Sequence, residues 1–467
     1  QILSALPGGG TYLNNGTSMA APHVVGTIAL LLSANPTLSR SQVNEILAET
    51  AVPLAATHPN MHSGWGRLDA YAAVASQTNA GTLTGQVTAN NVPLPGVAVT
   101  ITVPSGGQFT VTTGADGRYA ARLQSGSYAL AAQPFAYAPF SATGIAVTNG
   151  QTTTRNIILT TLSGGQVQGF VRASAGYLPL ADAQVEVVGT PVTGVTDGNG
   201  RFTLNLPSGT YELVVSKVGY QQQRAMVWLT GGTTAVQYFI LADAPSVLLV
   251  DSGQWYFGSQ AAQHIEALTA LNYSFDTWTV RDPFGGVPTL DDLAPYDAVI
   301  WSSPLDSPGY LSANNVITDY LGLGGHLFIS GQNVGSFDGV GLNTQLWWYR
   351  DLNANLLGKT AVSQTISGSA NSLFAGLSVN LNGGSSANNQ DSPDVSAPRS
   401  SILAQPAFTY EDGRAAGLTS GYCTPFRLVY LGFGLEGVSD AADRSAILQQ
   451  SFRYFDEPRQ TVGVEFS

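Results

Sequence analysis

The sequence predicts a multidomain chain: a helical N-terminal segment, two tandem β-sandwiches and a parallel-sheet α/β domain. Three observations point there. After an opening turn, residues 17–80 follow helical spacing. Residues 81–162 are echoed by 163–243 as short alternating strands joined by Gly turns. Beyond 244, buried strands alternate with helices. The 467 residues suit several domains of ordinary size.

In residues 1–80, Ala21, Val24, Val25, Ile28, Leu31 and Leu32 keep helical spacing, and Ala20, Ala29 and Leu30 make the remaining faces apolar. A helix apolar nearly all round is expected to be buried. Ser39 and Gln42 have capping-box spacing ahead of Val43, Ile46 and Leu47. "GWGRLDAYAAVA" reads as a Gly-rich turn and a third short helix capped near Asp69.

The repeat is legible segment by segment. "GTLTGQVTANNVPLPGVAVTI" corresponds to "GQVQGFVRASAGYLPLADAQVEVV", Asp116-Gly117-Arg118-Tyr119 to Asn199-Gly200-Arg201-Phe202, and Ser125-Gly126-Ser127-Tyr128 to Ser208-Gly209-Thr210-Tyr211. Asp116, Asp197 and Asn199 are residue types found in calcium loops, but Asp-Gly and Asn-Gly form tight turns without metal. In residues 244–467, "SVLLVDSG", "DAVIWSS", "HLFISGQNVG" and "FRLVYLGFG" read as buried strands, with helices over "SQAAQHIEALTALNY" and "ANNVITDYLGLGG".

Composition excludes several classes. The net charge is −12, and Lys217 and Lys359 are the only lysines, so the basic footprint of a nucleic-acid binder is missing. Cys423 is the only cysteine, which rules out an internal disulfide and a CxxC pair. No unbroken apolar run reaches the roughly 18 residues of a transmembrane helix, so no membrane span is expected.

The chemistry concentrates at Gly16-Thr17-Ser18. A hydroxyl at a helix N-terminus sits among free N–H groups and the positive end of the dipole, where developing negative charge is stabilised. On spacing alone, Thr17 or Ser18 could equally cap the helix. The longer stretch "NGTSMAAPHVVG" resembles the nucleophile motif of the subtilisin family of serine endopeptidases, and "NPTLSRSQVNEILAETA" and "GWGRLDAYAAV" resemble the closing helices of that family. The resemblance covers residues 1–80. It implies the C-terminal part of a parallel-sheet α/β/α catalytic domain. Ser18 would be the acyl-forming nucleophile, its N–H an oxyanion donor, and Gly16 and Thr17 would line the substrate cleft.

A serine nucleophile needs a base, and the base an orienting carboxylate. No His or Asp precedes Ser18. His23, five residues along the helix, lies about 140° round and roughly 7.5 Å up, facing away, and resembles a structural histidine of the family. His58 and His62 have no acidic partner at a suggestive spacing. The resemblance therefore implies the C-terminal part of a longer, secreted bacterial protease. Signal peptide, His, Asp and any calcium would belong to the missing portion, with no cofactor in this chain. The substrate would be a protein or peptide, and the chain as written inert. The alternative is a non-catalytic extracellular binding or structural protein carrying a protease remnant.

Each repeat resembles the carboxypeptidase regulatory-like domain, a transthyretin-like β-sandwich, through "PLPGVAVT" and "PLADAQVEV", "DGRY" and "NGRF", and "SGSYAL" and "SGTYEL". Residues 244–467 resemble the class I glutamine-amidotransferase-like fold in degenerate form. The turn that carries the family's Cys holds Gly331, Gln332 and Asn333, Cys423 stands elsewhere, and no His follows His326. In open α/β sheets ligands bind at the carboxyl ends of the strands. That edge should gather Asp251, Ser252, Ser302, Ser303, Gln332 and Asn333, groups suited to a carbohydrate or protein ligand.

Overall fold

The computed structural model describes residues 2–5, 11–14, 16–54, 59, 63–78, 80–255, 258–283, 285–340, 345–361 and 365–458. The chain is multidomain and mostly β. It divides into two compact units, one of Gln1–Gly165, Asn205–Gly209 and Leu229–Thr233, the other of Gln166–Leu204, Thr210–Trp228 and Thr234–Ser467.

In the first unit, the backbone of Ile2–Ala5 pairs antiparallel with Thr11–Asn14. Three helices follow: α1 (Thr17–Ala34), α2 (Arg40–Thr50) and α3 (Ala70–Thr78). The Ser39 hydroxyl accepts from Gln42 N and the Gln42 side chain from Ser39 N, completing the capping box of α2. Asp69 Oδ1 accepts from Ala72 N at 2.8 Å and starts α3. Leu31, Leu38, Val43 and Ala73 form the small core between the helices.

The apolar periodicity of α1 predicts burial, and the structure differs. Only Thr27 and Leu31 of α1 are buried, while Val25 is 65 % and Leu30 56 % exposed. Periodicity reports which faces are apolar, not whether a neighbour covers them, and among the described residues only one side of α1 is covered. By length and composition α1 is also apolar enough to cross a membrane. The expectation of no membrane span rests on the lack of an unbroken apolar run of that length.

The first sandwich sets Ala80–Ala89, with antiparallel Arg118–Gln124 and parallel Thr152–Thr154 and Ile157–Ile158, against a sheet ordered Gln108–Thr112, Ala98–Thr102, Gly126–Ala132, Phe140–Val147. Leu83, Val87, Val99, Ile101, Leu130 and Ile157 fill the space between. Within the same unit, the Ser105 hydroxyl donates to the Glu49 carboxylate of α2.

The second sandwich repeats the plan, with Arg201–Pro207, Gly164–Ala173 and Thr234–Leu241 in one sheet and Thr193–Val195, Gln184–Val187, Gly209–Ser216 and Gln223–Leu229 in the other. Both copies close on one turn. Gly117 and Gly200 have φ of 72° and 71°. Asp116 Oδ1 accepts from Arg118 N, and Asp197 Oδ1 from Asn199 N and Arg201 N. These carboxylates are engaged by their own turns, and the Arg201 N–H is the first cause that lowers the Asp197 pKa.

Beyond Asp243 the sheet runs in the order Phe275–Thr279, Val247–Asp251, Ala298–Ser302, His326–Ser330, Leu428–Leu431, all parallel. It then continues antiparallel through Ala415–Ser420, Ala404–Tyr410, Thr365–Gly368 and Ser378–Asn380, with Ala354–Lys359 and Asp394–Pro398 alongside. This antiparallel half was not anticipated, because its strands are short and lack uniform apolar runs. Among the described residues, five α-helices flank this sheet: α4 (Ala262–Ala270), α5 (Leu290–Leu293), α6 (Asn314–Gly322), α7 (Val334–Asp338) and α8 (Ala441–Phe455). Alternate residues of the parallel strands enter opposite layers. Leu249, Ile300, Phe328 and Val429 pack with α4 and α8 residues such as Leu268 and Leu448, whereas Val250, Trp301, Ile329 and Tyr430 pack with α5 and α6 residues such as Leu293 and Ile317. Coverage of both faces explains why these strands read as continuous apolar runs.

The shared turn gives a test. A Cβ at Gly200 would lie 2.4 Å from Val171 O, at a φ that L-residues avoid. Gly200→Ala should therefore destabilise the second sandwich by about 2 kcal/mol or more, read as a lower denaturation midpoint with unchanged m-value.

Candidate functional site

The serine turn is built by α1. Gly16 takes φ 137° and ψ 163°, a conformation that favours glycine, and places Thr17 and Ser18 as the first two helical residues. The N-cap position is held by Gly16, which has no side chain, so neither hydroxyl occupies it. Met19 N and Ala20 N donate to Gly16 O at 3.1 and 3.3 Å. The N–H of Ser18 thus belongs to the first turn, which a helix leaves without i−4 carbonyls. Ser18, Thr17 and Gly16 are all exposed. His23 turns its Nδ1 to Met19 O of its own helix at 3.1 Å, and Thr27 Oγ1 donates to His23 O. His58 and His62 lie outside the described residues. Beside α1, a groove of about 460 Å³ is lined by Val24, Leu47, Ala48, Trp65, Gly66 and Leu68 among others.

The second candidate is the carboxyl edge of the parallel sheet. It brings together the strand-end residues expected from the sequence, but buries all of them except Asn333, which is half-buried. Ser252, Ser302 and Ser303 have no exposure, Asp251 has 4 % and Gln332 1 %. Ser252 Oγ lies 2.7 Å from Ser302 O and 2.8 Å from Asp306 Oδ1, with its one proton available to either, and Trp255 Nε1 donates to Asp306 Oδ2. Gln332 Nε2 donates to Asn389 O, while its Oε1 accepts from Asp391 N and Ser392 N. Asn333 donates to Leu305 O and accepts from Lys359 Nζ. Groups expected to meet a carbohydrate or peptide instead close the loops that follow the strands.

Four carboxyl groups missing from the sequence reading anchor this network. Burial pushes Asp306, Asp338 and Asp394 up to about 6 and Glu436 up to about 7. Hydrogen bonds oppose burial in each case. Asp338 accepts from Ser307 Oγ, Gly309 N and Trp347 Nε1, Asp394 from Gly335 N and Ser336 Oγ, and Glu436 from Asn389 Nδ2 and Gln390 Nε2. His264, wholly buried, shares a 3.2 Å hydrogen bond with Ser330 Oγ, and burial lowers it to about 3. An isolated acid in a Gly- and Pro-rich loop, as in "SSPLDSPGY" or "GFGLEG", carries no spacing signal that would reveal these roles. Among the described residues, no cluster of three or more His, Cys, Asp or Glu is placed to hold a metal ion.

A hydroxyl at the start of an apolar helix, ahead of two β-sandwiches, marks a modular chain. Comparison with known proteins shows which families individual segments match. Residues 2–66 match the model of the subtilase family, and residues 82–160 and 166–242 each match the carboxypeptidase regulatory-like domain. The chain thus carries a subtilase segment followed by two carboxypeptidase regulatory-like domains. Subtilisin from Bacillus pumilus is 53 % identical over 53 residues, covering 11 % of this chain and 19 % of that protein. Bacillopeptidase F from Bacillus subtilis is 42 % identical over 93 residues, 18 % of this chain and 6 % of that protein. The extracellular serine protease of Serratia marcescens is 40 % identical over 67 residues, 14 % and 6 %. The chain spans less than a fifth of the length of each of these relatives. Among solved structures, the shaft pilin SpaA of Lactobacillus rhamnosus GG is 14 % identical with a TM-score of 0.24, covering 35 % of this chain and 98 % of that one.

The buried carboxyls make stability pH-dependent. Each holds its proton more tightly folded than unfolded, so its contribution is full below the ordinary carboxylate range and is lost as pH rises through 6 to 7. The unit that contains residues 244–458 should melt higher at pH 5 than at pH 8. Glu436→Gln, which keeps the shape without the charge, should recover on the order of 2–3 kcal/mol at pH 8 and little at pH 4. Chemical denaturation at the two pH values reads this directly.

Proposed function

We propose that this chain carries the nucleophile portion of a secreted subtilisin-like serine endopeptidase. Ser18 Oγ adds to the scissile carbonyl carbon as its proton passes to a histidine. That proton then goes to the leaving amine as the C–N bond breaks, and water hydrolyses the acyl-enzyme. The Ser18 N–H donates to the oxyanion, and Gly16 and Thr17 line the cleft. The observation that carries this reading is Ser18 itself: exposed, second in α1 behind Gly16 at φ 137°, within the residues that match the subtilase family.

The histidine and its aspartate come from outside this sequence in this reading, together with any calcium sites. His23 is engaged by Met19 O. The exposed apolar faces of α1 support the same view, since a catalytic domain would cover Val25 and Leu30. Protein or peptide is the substrate, and the name of the Serratia relative supports an extracellular location.

We read the organisation as 1–80 catalytic segment, 81–162 and 163–243 transthyretin-like sandwiches, and 244–467 an amidotransferase-like α/β domain without its chemistry. At the turn after His326–Ser330, Gln332 is fully engaged, and Cys423 lies exposed before the strand Leu428–Leu431.

Purified 1–467 should hydrolyse no casein and show no Ser18-dependent fluorophosphonate labelling. Extended upstream through the catalytic His and Asp of its gene, it should gain both activities, and Ser18→Ala should then lower kcat by more than about 10³-fold. Labelling of 1–467 that disappears in Ser18→Ala would place the base within this sequence. Activity of the extended protein that survives Ser18→Ala would remove the nucleophile assignment.

A further inference from the structure

The last strand of the second sandwich, Thr234–Leu241, has the sequence "TAVQYFIL", without charge or proline. Among the described residues it ends its sheet, pairing on one side only, in parallel with Gly164–Ala173. Leu241 O accepts from Ser174 N at 2.7 Å, so the odd-numbered residues bond toward the neighbouring strand. The even-numbered ones turn N–H and C=O off the edge. One of these, Ile240 N–H, is met by Gln223 Oε1 at 3.1 Å. Val236 and Tyr238 occupy the open length of the edge, 48 % and 71 % exposed.

Natural sheets guard such edges with charges, prolines or interrupted strands, because an unbroken apolar edge templates further pairing. The first sandwich supplies an internal comparison. Its corresponding segment is two short strands, Thr152–Thr154 and Ile157–Ile158, interrupted at Arg155 and Asn156. There Asn156 Oδ1 accepts from Gln86 N at 3.0 Å and Tyr119 OH donates to Arg155 O at 2.5 Å. By repeat and register, Gln86 and Asn156 stand where the second copy has Phe170 and Tyr238. Those two rings stack at 5.3 Å with planes 11° apart, and the Arg201 guanidinium, from the strand beyond, lies 5.1 Å from the Phe170 ring. The same fold in the same chain therefore forms with a broken, charged edge. Folding does not require the aromatic, uncharged one.

We propose that this edge pairs with the same edge of a second copy of the chain. The strand is self-complementary. Antiparallel pairing centred on Gln237 sets Val236 opposite Tyr238 of the second copy and the reverse, two aliphatic–aromatic cross-strand pairs of the favourable kind. It employs the outward N–H and C=O groups of those residues and leaves Ile240 with Gln223. A two-fold axis at Gln237 closes the contact, so the product is a dimer and not a filament. The general repulsion between copies opposes pairing least where carboxylates are lacking. Two chains of net charge −12 repel in general, but the outward residues of this sheet include Arg172 and Arg201 and no carboxylate.

Sedimentation velocity of the full chain across about 1–100 µM should show reversible dimerisation. Val236→Lys and Tyr238→Lys, both at exposed positions, should each give a monomer with unchanged circular dichroism. Trp228→Lys, on the edge strand of the other sheet and 78 % exposed, should leave the dimer intact. In a Cys423→Ser background, Gln237→Cys should oxidise to a disulfide-linked dimer, because the axis brings the two Cα atoms within disulfide range. A monomer at every concentration would overturn the proposal. So would a dimer that survives both lysine variants, or an edge that captures an extended peptide of another protein while the chain stays monomeric.

Discussion

Backbone and side-chain polar groups at the carboxyl ends of the parallel strands are buried, and the unit containing them depends on satisfying those groups without water. An unpaired buried polar group costs more than a typical hydrogen bond contributes. The loops after Val247–Asp251, Ala298–Ser302 and His326–Ser330 meet much of the requirement with groups from other loops: Ser252 with Asp306, Gln332 with the backbone of 389–392, and Asp394 with Gly335 and Ser336, whereas Ser302 Oγ is buried without a partner among the described residues. The edge that commonly forms a ligand crevice is thereby closed. The same solution removes Asp306, Asp338, Asp394 and Glu436 from water and raises their pKa values.

The two sandwiches show how one fold separates what it needs from what it adds. Both keep the left-handed Gly of the turn and the buried Val87 or Val171 beside it, while the Asp that accepts from the turn's N–H groups stands at different positions, Asp116 aligning with Asn199 and Asp197 with Gly114. They diverge at the last strand, where one copy is interrupted by Arg155 and Asn156 and the other runs unbroken through Tyr238. Conditions imposed by backbone geometry are held in common, whereas surface positions are free to acquire an interaction.

The helix α1 illustrates the opposite relation between sequence and surroundings. Its residues are those of a buried element, yet Val25 and Leu30 face solvent. Burial of a helix is a property of the assembly that surrounds it, and the driving force is the apolar area a neighbour removes from water.

Local rules were sufficient for the elements that carry strong local signals. Ser39 with Gln42, Asp69 ahead of α3, the duplicated Gly turns and the parallel strands were legible because caps, φ constraints and apolar runs act over a few residues. The serine turn was legible as a motif, and its exposure follows from its position at the start of α1. The antiparallel half of the large sheet, the buried acids and the closed carboxyl edge were decided only in three dimensions. Their determining contacts join residues far apart, such as Gln332 with Asp391, 59 positions on. No periodicity in the chain encodes which distant loop will supply a hydrogen-bond partner, and burial, which sets the charge state of Glu436, exists only once both loops are in place.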